Sequence, residues 1–177
     1  MPATALGLVP LLAVAVRRPK GSAWWWLAAA FGVSFVADVG ALALGHGLTS
    51  QVYPVAQSGI FALVLAPASV AVPVIGLALA AAGASITWRE AAGLDFLLHA
   101  VAWGSTAVLA YRYVIPGALR TSLLVGFGGG LGAWAGFVLE SGWFWWLSYQ
   151  VTRALAAGWF CAAVWQAGQV PSTEARR

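Results

Sequence analysis

Residues 52–86 read VYPVAQSGIFALVLAPASVAVPVIGLALAAAGASI, an apolar run without a single charge. As one helix it would be about 50 Å long at 1.5 Å per residue, against a hydrocarbon core of about 30 Å. Pro67 and Pro73 sit near its middle, with Ala68 and Ser69 between them. Proline removes a backbone donor and breaks helix geometry. The run therefore reads as a tight helical hairpin with arms 52–66 and 70–86, and that reading sets the number of crossings in the whole chain.

Working outward, five more apolar segments appear. Residues 2–16 are short for a crossing and need local bilayer thinning to serve as one. Residues 23–45, 95–111, 121–139 and 142–166 each approach the length a crossing helix requires. Residues 46–51, 87–94 and 112–120 read as polar loops, the last with the turn signal Pro116-Gly117. The fold class is thus all-α: a polytopic transmembrane bundle of about seven helices, one domain over 1–167, and a polar cytoplasmic tail over 168–177.

The charges test the hairpin. With seven crossings and the N-terminus outside, Arg17, Arg18, Lys20, Arg112, Arg120, Arg176 and Arg177 fall on the cytoplasmic side, and only Arg89 outside. That is the positive-inside distribution. Making 52–86 a single crossing would send Arg112 and Arg120 to the side opposite Arg17, Arg18 and Lys20.

Composition agrees. Of 177 residues, 62% are hydrophobic and only 8% charged, and the mean hydropathy is +0.86. Such a surface has lipid as its main solvent. The formal charge of +4 gathers at helix ends and marks topology rather than a nucleic-acid surface. The order of the first segment, apolar core before Arg17, Arg18 and Lys20, is the reverse of a secretory signal. The expected location is the bacterial inner membrane. Trp24, Trp25, Trp26 and Trp165 fit the inner aromatic belt and Trp88, Trp143, Trp145 and Trp146 the outer one, while Trp103, Trp134 and Trp159 lie deeper and read as core filling. The single cysteine, Cys161, excludes an intramolecular disulfide.

Polar residues within the apolar segments carry the functional reading. Arg153, in the stretch Tyr149-Gln150-Val151-Thr152-Arg153, is a charge at a depth that costs a few kcal/mol or more unless compensated. Asp38 and Arg153 both lie roughly 20 Å above the cytoplasmic boundary at 1.5 Å per residue, so an ion pair between them is expected. It serves either as a structural clamp or as part of a ligand site. Ser34 shares a helical face with Asp38, Tyr53 with Gln57, Asp95 with His99, and Tyr149 with Arg153, all at i,i+4 spacing. Asp38, Tyr53, Gln57, Asp95, His99, Glu140, Gln150 and Arg153 fall in the outer half and leave the inner half apolar. The candidate ligand-binding set is Asp38, Tyr53, Gln57, His99, Tyr149, Gln150 and Arg153. Gly128, Gly132 and Gly136 recur every four residues and are expected to let a neighbouring helix approach closely.

Several functions are set aside. The only lysine, Lys20, is in a loop, which rules out a retinal Schiff base in the seventh helix. Asp95 and His99 lack further ligands nearby, so no metal is expected, and nothing signals a cofactor. No phosphate loop and no nucleophile–base motif occurs, which points away from an enzyme. The expected function is binding or transport of a small solute or lipid through an outer-facing polar cavity. The alternatives are an accessory subunit of a larger membrane complex, or an intramembrane lipid hydrolase using an Asp/His acid–base pair. The expected partners are the bilayer, a small solute or lipid ligand, and a membrane-protein partner or second copy; nucleic acid is not among them.

Overall fold

The computed structural model describes residues 4–44, 46–87, 94–140 and 142–168. A short 3-10 segment, Thr4–Leu8, leads into α1 (Val9–Arg17). Then follow α2 (Ala23–Leu44), α3 (His46–Leu65), α4 (Ala68–Thr87), α5 (Leu94–Tyr113), α6 (Ala118–Glu140) and α7 (Trp143–Ala167). Among the described residues there is no strand, and the all-α bundle is the fold. Among the described residues four helical stretches are long and apolar enough to cross a membrane: Ala23–Gly40, Ala68–Thr87, Leu94–Tyr113 and Ala118–Glu140. At 25 residues α7 has the length too, but Ser148, Tyr149, Gln150, Thr152 and Arg153 dilute its apolar character.

The hairpin is present, with longer arms than its sequence predicts. Residues 46–51, expected as a loop, extend the start of α3 as helix. Composition misled here: a few polar residues at a helix end do not stop the backbone ladder. The turn falls at Ala66-Pro67 alone, and Pro73 lies inside α4. Transmembrane helices tolerate interior proline because neighbouring groups re-satisfy the freed backbone. Arg18 closes α1 in the left-handed conformation (φ 45°), and Pro19 follows it. The region around Arg89 and the tail from 169 lie outside the described residues.

Alternation of the helices brings the basic segments to one end. There the starts of α2 and α6 and the ends of α3, α5 and α7 surround a groove of about 580 Å³. Arg17 stacks on Trp165 at 3.4 Å, and Arg120 lies over Tyr111 at 4.3 Å. Such cation–π contacts hold guanidinium groups at an interface where one face is apolar.

α6 is one continuous helix with a π-helical turn at Leu124–Gly129. It approaches α7 through Gly126, Gly129 and Gly130. A Cβ at Gly126 would meet the Ala156 methyl at 2.9 Å, and one at Gly129 would meet Thr152 at 3.3 Å. The expected row of Gly128, Gly132 and Gly136 does not act as a unit. Around Gly132 nothing lies within 4 Å, and Gly128 only grazes Ala107 at 4.0 Å. Steps of four residues drift by about 40° each around an ideal helix, and the π turn shifts the phase further, so the row winds off the face that meets α7. Gly136 is the exception: a Cβ there would overlap the Trp145 ring, whose indole nitrogen donates to Glu140 Oε2 at 2.7 Å. Gly136→Leu is therefore expected to cost about 1–3 kcal/mol through overpacking. Gly132→Leu should stay within about 0.5 kcal/mol of the parent. Thermal unfolding in micelles checks both.

Candidate functional site

The interior is layered, and the layers can be read along each helix in steps of three or four residues. On α2 the order from the basic end is Trp24 and Leu27, then Phe31, then Ser34 and Asp38. On α3 it is Leu65 and Val64, then Phe61, then Gln57 and Tyr53. On α7 it is Ala163, Phe160, then Ala156 and Arg153, then Tyr149. The first set lines the basic-end groove. The phenylalanines, joined by Phe127 from the π turn of α6, form a buried aromatic layer. Phe31 lies 5.7 Å from Phe61 and 5.2 Å from Phe160, and Phe61 lies 4.9 Å from Phe127, centroid to centroid. Edge and tilted pairs at these separations add to the packing.

Directly beyond this layer lies a cavity of about 40 Å³ beside the Arg153 guanidinium. Ser34, Gln57, Trp103 and Tyr149 are among its polar walls, Phe31, Phe127 and Ala156 among its apolar ones, and Leu6 and Gly7 border it from the N-terminal turn. A space of this size takes only a few waters.

Arg153 Nη2 donates to Asp38 Oδ2 at 3.1 Å and to Ser34 Oγ at 3.2 Å. Ser34 in turn donates to the Phe31 carbonyl at 2.8 Å. The guanidinium also lies 5.6 Å from the Tyr149 ring. The pair is asymmetric: the Arg153 side chain is 14% exposed and the Asp38 side chain 39%. Gln57, buried, donates from Nε2 to the Ala30 carbonyl at 3.0 Å and ties α3 to α2.

One turn farther out, aromatic rings close over the cavity. Trp103 stacks on Tyr149 with centroids 5.7 Å apart and planes 13° apart. His99 lies 4.9 Å from Trp103 and 5.0 Å from Trp134, and Tyr53 packs edgewise on His99. His99 Nδ1 lies 2.7 Å from the Asp95 carbonyl, a pure acceptor, so Nδ1 carries the proton. Nε2 then accepts from the Tyr53 hydroxyl at 3.4 Å. The Asp95 carboxylate itself accepts from Ser85 Oγ at 3.1 Å. Polar contacts thus join Asp95, His99 and Tyr53 in one group, and Arg153, Ser34 and Asp38 in another.

Of the sequence-derived set, Gln57, Tyr149 and Arg153 line the cavity; Asp38 touches it only through Arg153, and Tyr53 and His99 pack on Trp103 behind its wall. Gln150 does not line the cavity, and its Oε1 is buried without a partner among the described residues. Trp103 and Trp134, read as core filling, are walls and roof of the site. The Trp103 indole N–H is buried and has no partner among the described residues. The four-phenylalanine layer was not anticipated; its signal in sequence was Phe31 and Phe61, each one turn basic-ward of a polar residue. Among the described residues no group of three or more His, Cys, Asp or Glu side chains could hold a metal.

The chain matches no protein-family model, and comparison with the curated proteins and with the solved structures returned no significant match. What the site does must be argued from its own geometry.

Proposed function

We propose that this chain is a small multi-pass protein of the bacterial inner membrane, its basic end in the cytoplasm, that binds a small solute or lipid at Arg153 and passes it through the bundle. One observation carries this reading: basic-end groove, phenylalanine layer and Arg153 cavity follow one another along α2, α3 and α7. An axis with a charged site at mid-depth and an apolar constriction beneath it has the parts of a gated path. In this conformation the constriction is closed.

The experiment is a thermal-stability screen of the purified chain in micelles against carboxylates, amines and lipids. A ligand at 100 times its Kd adds about 2.7 kcal/mol of stability. The expected result is a compound that stabilises the parent chain but not Arg153→Gln. A screen in which every stabilising compound acts equally on both would sink the proposal.

A second reading, an accessory subunit, draws on α4. Its exposed Gly76 and Gly83 meet nothing within 4 Å, and small residues on a lipid-facing helix allow another helix to dock closely. The hydrolase alternative has less support. His99 is buried, and both its nitrogens are engaged, by Asp95 and Tyr53.

A further inference from the structure

The space beside Arg153 is crowded from several elements. Phe31 and Phe127 bound it towards the basic end, and Trp103 and Tyr149, stacked on each other, bound it farther out. The turn Thr4–Leu8 packs on both α2 and α7 and borders the cavity with Leu6 and Gly7. One water needs about 10–15 Å³ of such space. About 40 Å³ therefore admits an ion of roughly one to four heavy atoms, and no sugar, amino acid or lipid. The walls also hold more hydrogen-bond donors than their protein partners use. A guanidinium has five N–H donors. Both bonds of Arg153, to Asp38 and to Ser34, leave from Nη2, so Nε and Nη1 have no acceptor among the described residues. Trp103 lines the same cavity, and its indole N–H is buried without an acceptor among the described residues. Gln57 gives one amide hydrogen to the Ala30 carbonyl and keeps the other. Asp38 holds the guanidinium but does not line the cavity, so an occupant is nearer the cation than the carboxylate.

Resting on the binding-site reading above, we propose that the ligand of this cavity is a small monovalent inorganic anion of bromide or nitrate size. The guanidinium and the indole N–H are donors that cannot accept, which selects an anion. Arginine in the wall of a narrow path is a recurring basis of anion selectivity. One guanidinium, already shared with Asp38, offsets a single negative charge at most. A second charge at this depth would meet a desolvation cost that nothing here offsets. Phe31, Gly126, Phe127 and Ala156 on the walls cannot replace a tightly held water shell. An ion that sheds its water readily is therefore preferred to fluoride, acetate or phosphate. Gln57 and Tyr149 can also accept, which suits a water that enters with the ion. Asp38 limits the affinity, because its carboxylate draws on the same cation.

The test uses the full chain purified in micelles, with sodium bromide replacing sodium gluconate at constant ionic strength, read by thermal unfolding. Gluconate is too large for the cavity; sodium nitrate and sodium acetate are run in parallel. A saturable rise in Tm of at least about 2 °C is expected with bromide and with nitrate, and none with acetate. Arg153→Gln removes the cation and should weaken bromide by about tenfold or more. Trp103→Phe keeps a ring but loses the indole N–H, and should weaken bromide about threefold. Asp38→Asn leaves the arginine's charge to the ion and should tighten bromide about fivefold. Should Arg153→Gln not fold, Trp103→Phe and Asp38→Asn still decide. A bromide shift of equal size in the parent and all three variants would be a general salt effect and would overturn the proposal. Acetate binding as tightly as bromide would overturn it in favour of a carboxylate site. No response to any of these anions, with a compound from the screen above still protecting the parent but not Arg153→Gln, would overturn the inorganic anion and leave the binding-site reading standing. No Arg153-dependent response to any compound would remove both.

Discussion

Phe61→Ala is expected to lower stability in micelles by about 2 kcal/mol and to open the bundle axis from its basic end. The magnitude follows from what the reference state lacks. In a soluble protein a Phe→Ala change in the core costs about 3–5 kcal/mol, the sum of a transfer term and a cavity term. In a bilayer the transfer term is largely absent, because lipid tails are as apolar as the bundle interior. The cavity and lost dispersion contacts remain. Phe61 is fully buried and touches both Phe31 and Phe127, so the void joins the groove below to the space above. That connection is measurable. Ala156 is buried on the cavity wall. In a Cys161→Ala background, Ala156→Cys should resist a water-soluble thiol reagent added from the basic end when Phe61 is present, and react when it is alanine. A stability loss without new reactivity would make the layer mere packing.

The number and alternation of the helices were legible because they rest on the two coarsest signals in a membrane sequence, apolar run length and the placement of arginine and lysine. Both are set by the bilayer rather than by partner helices. Pro67 was legible as a turn and Pro73 as a proline inside the second arm, 70–86; what was not legible is that this arm already begins at Ala68. Which proline breaks a transmembrane helix depends on what satisfies the freed carbonyl, a tertiary fact. The polar i,i+4 pairs were legible for a similar reason: a costly side chain in the membrane must face inward, so Asp38, Gln57, His99 and Arg153 declare their direction.

The aromatic and glycine content was harder to place. Phenylalanine and tryptophan are equally at home against lipid, in a core or in a cavity wall, so nothing in the identity of Phe61 or Trp103 separates those sites. Trp159 is exposed while Trp103 is buried, although both sit at depth in the sequence. Of the glycine row only Gly136 meets α7, for a geometric reason. Counting by four presumes an unbroken α-helix, and the π turn at Leu124–Gly129 moved the packing face to Gly126, Gly129 and Gly130. A glycine-rich stretch is permissive of such a turn, but permission does not fix its position.

Arg153→Leu is the change expected to hurt most. It leaves the Asp38 carboxylate inside the membrane without its cation. Breaking a fully buried pair from one side costs about 3–5 kcal/mol. With the Asp38 side chain 39% exposed, part of that penalty is relieved, and about 2–3 kcal/mol is the expected loss. Asp38→Asn should cost less, about 1 kcal/mol, because an amide oxygen still accepts from Arg153 and Ser34 still accepts as well. The double change Asp38→Leu with Arg153→Leu tells the two roles apart. If the pair is only a clamp between α2 and α7, removing both charges recovers much of the single-mutant loss, as replacement of ion pairs by apolar residues often does, and no other property of the protein changes. If the pair also holds a ligand, the recovered protein is stable yet no longer stabilised by any compound that protects the parent chain. Stability that returns together with intact ligand protection would place the binding site elsewhere, and the cavity beside Arg153 would then be a packing void between helices whose positions the charges specify.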